Sequence, residues 1–408
     1  MSLPSITILG AGLQGSCIAL GLAQLGYRVT LLEQQSAPML GASTHNEGKI
    51  HLGFVYALDP TGETRRRMLE GGLTFAPILE KLCGPLPWDD WKSEGFRYAL
   101  MPDSVASADI LEASYEQVNS LLPEVIAASP VPASYFGTLP GFVWRTSHTL
   151  RGRPCVDGHP VERCYETEEV SIDPRRLAEV LVTKLRAAPL ITLRCGVRVL
   201  EAERRPAGFR LLIQIGEETS ELLTPAVVNC CWVDRQRIDE TVGFPDDGVL
   251  TSYRVKHQVL VRPRQWDPNL VPVTMVQGPY GDFVPFRDGL IYINWYPTCR
   301  TYFGSVPPKE SADPAEAQTV ARHTLAIMAE LFPVLKGAEL HAASPCVIIA
   351  RGTTDIDNLA SDLHERKVFG PQFHEGWWTV DTGKLTTAPL IAYRTTQWIH
   401  REMGGIGS

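Results

Sequence analysis

Residues 10–34 read GAGLQGSCIALGLAQLGYRVTLLEQ, and the β-branched run SITIL at 5–9 leads into them. The order is strand, glycine turn, helix, strand: SITIL delivers the chain to Gly10, the stretch from Leu13 to Leu25 has helical spacing, Gly26 and Tyr27 stop it, and VTLLE follows as a second strand. In such a unit Gly10 permits the tight turn, Gly12 lets a pyrophosphate approach the backbone without meeting a Cβ, and Gly15 lets the helix pack closely on the strand. Leu13 and Gln14 open the helix, whose unpaired N–H groups and positive dipole end suit phosphates. Glu33 closes the second strand about 20 residues downstream, where a carboxylate accepts hydrogen bonds from an adenosine ribose, and Gln34 lies beside it. A bare glycine fingerprint is a weak signal. Here its strand, helix and acid are all in place, and they predict a dinucleotide site.

The bulk numbers agree with an enzyme-sized globular chain. At 408 residues with 44% hydrophobic composition, it can bury a large core and should form more than one domain. A formal charge of -8 without a long basic block argues against nucleic acid or a membrane surface as partner. Arg65, Arg66 and Arg67 read as a solvated helix face. No apolar run approaches the ~18–20 residues of a membrane span. The chain enters its first strand by Ser5, which leaves no room for a signal peptide. Nine cysteines without CxxC or Cys/His ligand spacing read as reduced thiols in a cytoplasmic protein, with no metal site.

Further along, helices are predicted from Glu63 to about Leu82, near 107–122, from Pro174 behind an Asp173 N-cap, and over 314–331. Strands are predicted at VRVLEAE, FRLLIQI, PAVVNCC, HQVLVRP and GLIYINWYP. Lys256 and His257 are neighbours on one strand, so at most one is expected to face a ligand. The Trp and Tyr residues at 266, 280, 292, 295 and 296 read as sheet core before substrate cage.

Two loops carry further chemistry. GASTHNEGKIHLGFVY, 41–56, is rich in small and polar residues: Ser43, Thr44 and Gly48 offer little bulk, and His45, Asn46 and His51 bring polar groups into one span that suits the edge of a flat isoalloxazine ring. TGKLTT, 382–387, lies between an apolar strand and a helix. There the amides of Gly383, Lys384, Leu385 and Thr386 suit the side of a flavin that becomes anionic on reduction.

Taken together, GAGLQG with Glu33, STHNEGKIHLGFVY, VSIDPRRL (170–177), PAVVNCC (225–231) and GKLTT (383–387) resemble the FAD-dependent oxidoreductase family that contains D-amino acid oxidase and glycerol-3-phosphate dehydrogenase. The string HN.G.IH.G..Y, from His45 to Tyr56, is most similar to the L-2-hydroxyglutarate dehydrogenase/oxidase branch. The resemblance implies an α/β chain in which a Rossmann-type FAD-binding domain (1–80, 150–250 and 340–408) is interrupted by a mixed or antiparallel-sheet substrate domain (81–149 and 251–339). It places Val199 against the adenine, Cys230 along the ADP half, and Arg351 where a guanidinium grips an anionic substrate group by two hydrogen bonds. Cys230, Cys231 and Trp232 replace the small residues usual after the strand asparagine, and Thr382 replaces the first glycine of GGKLTT.

The expected activity is oxidation of the CH–OH group of a small anionic substrate by hydride transfer to flavin N5, with oxygen or another acceptor taking the electrons. A CH–NH donor, as in an amino acid or secondary amine, is the alternative, and a flavin-binding protein without turnover is a third reading. His51 is either the base for the donor proton or a satisfied buried histidine. His45 lines the flavin, links to it covalently or caps its turn. Arg351 is a substrate clamp or a structural ion pair.

Overall fold

The computed structural model describes residues 4–139, 144–147, 156, 161–245, 248–308, 314–356, 358–359, 361, 364–365 and 369–404. Its first sheet has six strands in the order Gly370–His374, Trp377–Asp381, Val227–Asn229, Ser5–Leu9, Arg28–Glu33, Ile191–Cys195. All neighbours run parallel except the first pair. The run SITIL is buried from its second residue because both faces of a parallel sheet are covered. Ser5–Leu9 lies between strands that follow it at residues 28 and 227, so chain order reverses there, and the crevice at its carboxyl end is where such sheets bind ligands.

The helix Leu13–Gln24 leaves that crevice, with ten of its twelve residues buried. It packs against the closing helix Ala388–Glu402 so closely that a Cβ on Gly21 would lie 3.0 Å from Thr396 Oγ1. Helix Glu63–Cys83 carries a second close approach at Gly72, where a Cβ would lie 2.7 Å from the His51 carbonyl oxygen. A glycine inside a helix costs about 1 kcal/mol against alanine. That cost lets the loop bearing His51 lie against the helix.

The largest sheet has nine strands, with Thr251–Arg262 as its longest member but one. Alternation sorts its side chains. Leu260, Val284 and Tyr292 join the core shared with the dinucleotide-binding sheet, whereas Val259, Val261, Ile291 and Ile293 form a second core with Met328 and Leu331 of helix Pro314–Leu331. One face of this sheet therefore roofs the crevice. A three-stranded antiparallel sheet, Val197–Arg205, Gly208–Ile215 and Glu218–Thr224, packs beside Glu33.

Sheet membership departs from the expected boundaries in two places. Glu339–Arg351 pairs along its length with Thr251–Arg262, and Arg163–Thr167 pairs with Arg97–Leu100, so both belong to the large sheet. Apolar alternation marks a strand but does not say which sheet receives it. The helix expected near 107–122 runs Ala108–Ala127, and Ile191–Cys195 and Glu218–Thr224 are strands that the pattern did not single out.

Arg65 is not on a solvated face. It is buried, donating from Nη1 to the carbonyls of Tyr56 and Asp59 at 2.8 and 2.9 Å. Cys164 is disulfide-bonded, so the nine cysteines are not all thiols. No described helix is long and apolar enough to cross a membrane, and the described residues contain no metal-ligand cluster.

Candidate active site

A cavity of about 1080 Å³ opens along the crevice. It is at the upper end of the ~300–1,000 Å³ usual for ligand sites. One end is lined by Gly10, Gly12, Leu13, Gln14, Glu33, Gln34, Val199 and Cys230, the other by Lys49, His51, Lys256, Tyr292, Gly383, Lys384 and Leu385, with Ser43, His45 and Asn46 also on its wall.

At the first end the backbone is the binding element. Gly10 has φ +90°, and a Cβ there would lie 2.7 Å from the Cys230 carbonyl oxygen. A Cβ on Gly15 would lie 2.0 Å from Gly10 O, so Gly15 packs the helix on the strand and sits behind the cavity wall. A Cβ on Gly12 meets only Ser43 Oγ, at 3.1 Å, which leaves the space beyond it to a ligand. Leu13 N–H donates to Ser43 Oγ at 2.8 Å, and other first-turn N–H groups have no acceptor within the helix. Glu33 is aimed by backbone: Oε2 accepts Ala11 N–H at 2.7 Å and Oε1 accepts Gln35 N–H at 2.9 Å, with lone pairs to spare for ribose hydroxyls. These residues fit the ADP half of FAD. Val199 lines the wall, but its carbonyl accepts Arg237 Nη2 at 3.1 Å.

The second end is assembled from side chains of distant segments. His51 is 4% exposed, and its Nδ1 lies 3.3 Å from Oε1 of the fully buried Glu169. Burial pushes the imidazole pKa below its ordinary value, with Glu169 opposing and Lys384 and Lys49 adding to the fall. Burial would raise the Glu169 carboxyl, yet His51, Lys49 and a hydrogen bond from Tyr98 hold it below the usual range. The second Glu169 oxygen accepts Leu52 N–H at 2.6 Å. His51 is thus a neutral base candidate with a buried anion behind it.

Thr386 is not on the lining. Its hydroxyl accepts His51 N–H at 2.8 Å and donates to Lys49 O at 3.3 Å, so it joins the two chemical loops. Thr44 and Gly48 also stand behind the wall: Thr44 Oγ1 donates to Met39 O at 2.8 Å, and Gly48 N–H donates to Asn46 Oδ1 at 2.8 Å. His45 lines the cavity, and burial lowers its pKa.

Arg351 ends the strand Glu339–Arg351 three positions beyond Ile348, the last residue of that strand on the lining. The structure therefore does not bring it to the wall with His51. The cations that do line this end are Lys49, Lys256 and Lys384. Lys49 is buried, donates to Thr274 and pairs with Asp282 at 2.9 Å. Burial would raise the Asp282 carboxyl, but Lys49 and Lys256 hold it well below the usual range. Both Lys256 and His257 touch the cavity, with His257 Nε2 engaged by Thr301 Oγ1 at 3.1 Å. Glu47, Lys49 and Glu169 were missed because a charged residue reads as solvated, and Tyr292, read as sheet core before substrate cage, is buried in the sheet and also lines the cavity. The signal available was that two charges sit inside a loop otherwise chosen for small and amide residues.

The family model described as DAO, FAD dependent oxidoreductase, matches residues 5–398. The chain belongs to that family and is an FAD-dependent oxidoreductase. Glycine oxidase from Geobacillus kaustophilus superposes with a TM-score of 0.69 at 16% identity, covering 97% of this chain and 94% of that one. The FAD-bound L-alpha-glycerophosphate oxidase from Mycoplasma pneumoniae gives 0.64 at 15% identity, covering 98% and 95%. A curated relative, the FAD-dependent monooxygenase FPY4 of Fusarium mangiferae, is 35% identical over 85 residues, which is 21% of this chain and 22% of that protein.

Proposed function

We propose that this chain oxidises the amine-bearing carbon of a small amino acid. The observation that carries this reading is the charge of both signs at the His51 end: three ammonium groups, of Lys49, Lys256 and Lys384, line the cavity with the Glu47 carboxylate, and the charge of each reaches it. A net positive lining favours an anionic substrate group, and an anion in the same cavity suits a cationic nitrogen. When bound, FAD supplies the hydride acceptor. His51, kept neutral by burial, takes the proton that the donor nitrogen must lose before its carbon gives up hydride. The lysines take over the anionic grip expected of Arg351. That glycine oxidase shares the fold supports an amine donor, though at 16% identity the likeness concerns the fold.

The CH–OH donor expected from the sequence is the second reading. It is favoured by the buried Glu169 behind His51, because an alcohol holds its proton more tightly than an ammonium and calls for a backed base. Anaerobic mixing of the FAD-loaded protein with matched amino acids and 2-hydroxy acids tests the choice. Bleaching of the flavin by amino acids supports the first reading, bleaching by hydroxy acids alone supports the second, and bleaching by neither breaks both.

A further inference from the structure

Most charges near the His51 end are spoken for. Lys49 holds Asp282 at 2.9 Å, and the other Asp282 oxygen accepts Asn294 Nδ2 at 2.8 Å. Two are not. Among the described residues neither the Lys256 ammonium nor the Glu47 carboxylate makes a side-chain hydrogen bond or an ion-pair contact, although the field of one reaches the other. Both line the cavity and both are half-buried. Half-buried charges of opposite sign gain by meeting, so their separation needs a structural cause.

Rigid backbone supplies it. Lys256 sits on a strand paired on both sides, opposite Arg300 and Cys346. Glu47 lies between Asn46 and Gly48, where the Asn46 side chain donates to Ala42 O at 2.9 Å and Ser43 O at 3.2 Å and accepts from Gly48 N–H. Gln258, two residues along the Lys256 strand, then ties strand to loop by donating to the carbonyls of Thr44 and Asn46 at 3.3 and 3.4 Å. Loop and strand are thus tied together, with an open anion and an open cation lining the same cavity within reach of each other's charge. Burial would raise the Glu47 carboxyl, but Lys256, Lys49 and Lys384 hold it below the usual range, so it stays ionised.

We propose that Lys256 and Glu47 are a zwitterion-recognition pair: Lys256 receives the carboxylate of an α-amino acid and Glu47 its ammonium group. The pair rests on the oxidoreductase reading above and names the residues that would choose the substrate. Each end of the ligand completes one open charge, and a hydroxy acid completes only one of the two.

The test is calorimetric titration of the FAD-loaded protein with its flavin already reduced by dithionite, without oxygen, so that binding is read apart from hydride transfer, using alanine, lactate and propionate, with both enantiomers of the chiral probes, and ethylamine. Wild type is expected to bind alanine more tightly than the other three. Glu47→Gln should weaken alanine about tenfold or more, the loss of one charge-assisted hydrogen bond, while leaving lactate and propionate unchanged or tighter. Lys256→Met should weaken alanine, lactate and propionate alike. An unchanged flavin spectrum marks a folded variant, and Glu47→Asp and Lys256→Arg, which keep charge but shift it, replace any variant that loses FAD and should show intermediate losses. The proposal is overturned if wild type binds alanine no better than propionate, or not at all, if Glu47→Gln weakens alanine and lactate equally, or if Arg351→Met causes the carboxylate loss and Lys256→Met does not. Flavin bleaching by lactate alone, with alanine still bound in the Glu47-dependent way, would break the amine-donor reading and leave the recognition pair standing.

Discussion

The two ends of the cavity are built by opposite means. At the nucleotide end the glycine turn and the helix that follows it present backbone to a ligand, and the acid beside them, Glu33, is held by the N–H groups of Ala11 and Gln35. At the His51 end hardly any contact is local: Lys49 meets residues 274 and 282, and His51 meets 169 and 386. Backbone recognition is generic, and it suits a cofactor shared by a whole family. Side chains gathered from separate segments can change one at a time, so this end can differ between relatives that keep the first.

The largest effect should fall on the nucleotide end. Gly12→Val is expected to give a folded protein that retains no FAD, read as unchanged circular dichroism with the flavin absorbance gone. Retained flavin would mean that the phosphates do not pass Gly12. Next, His51→Ala should lower kcat by about 10² to 10⁴ while FAD content stays the same. Stopped-flow flavin reduction at the wild-type rate would return His51 to a structural role and weaken the contrast between the ends.

Glu33→Ala should be milder, weakening FAD by about 1.5–3 kcal/mol in a fluorescence titration of the apoprotein, the worth of a hydrogen bond to a charged group. An effect confined to substrate affinity would contradict its place at the ribose. The smallest effect is a shift in pH. Burial lowers the His51 pKa and the Glu169 charge opposes that, so Glu169→Gln should lower it further and move the acidic limb of kcat to lower pH. Movement to higher pH would show that the limb belongs to another group.

The same contrast explains what the sequence disclosed. Gly10, Gly12, Gly15 and Glu33 lie within 24 residues, and their places follow from turn geometry, so the strand–turn–helix unit at this end was legible from one short stretch. His51 was readable as a candidate because its loop is unusual in composition. Its partner Glu169 was not, since nothing in the local pattern of VERCYETEEV distinguishes one glutamate from its neighbours. Arg351 was singled out by family position, and it ends a strand whose last residue on the cavity lining is Ile348. Lys256 was half legible: alternation allowed only one of Lys256 and His257 to face a ligand, whereas both touch the cavity.

One hydroxyl, that of Thr386, accepts from the His51 backbone and donates to that of Lys49 while its own segment lines the cavity through Gly383, Lys384 and Leu385. That single oxygen pins two segments far apart in sequence, 49–51 and 382–387, to each other at the same end of the cavity. A change in the backbone of one must be accommodated by the other, so the position of the base and the shape of the glycine–lysine loop are set together.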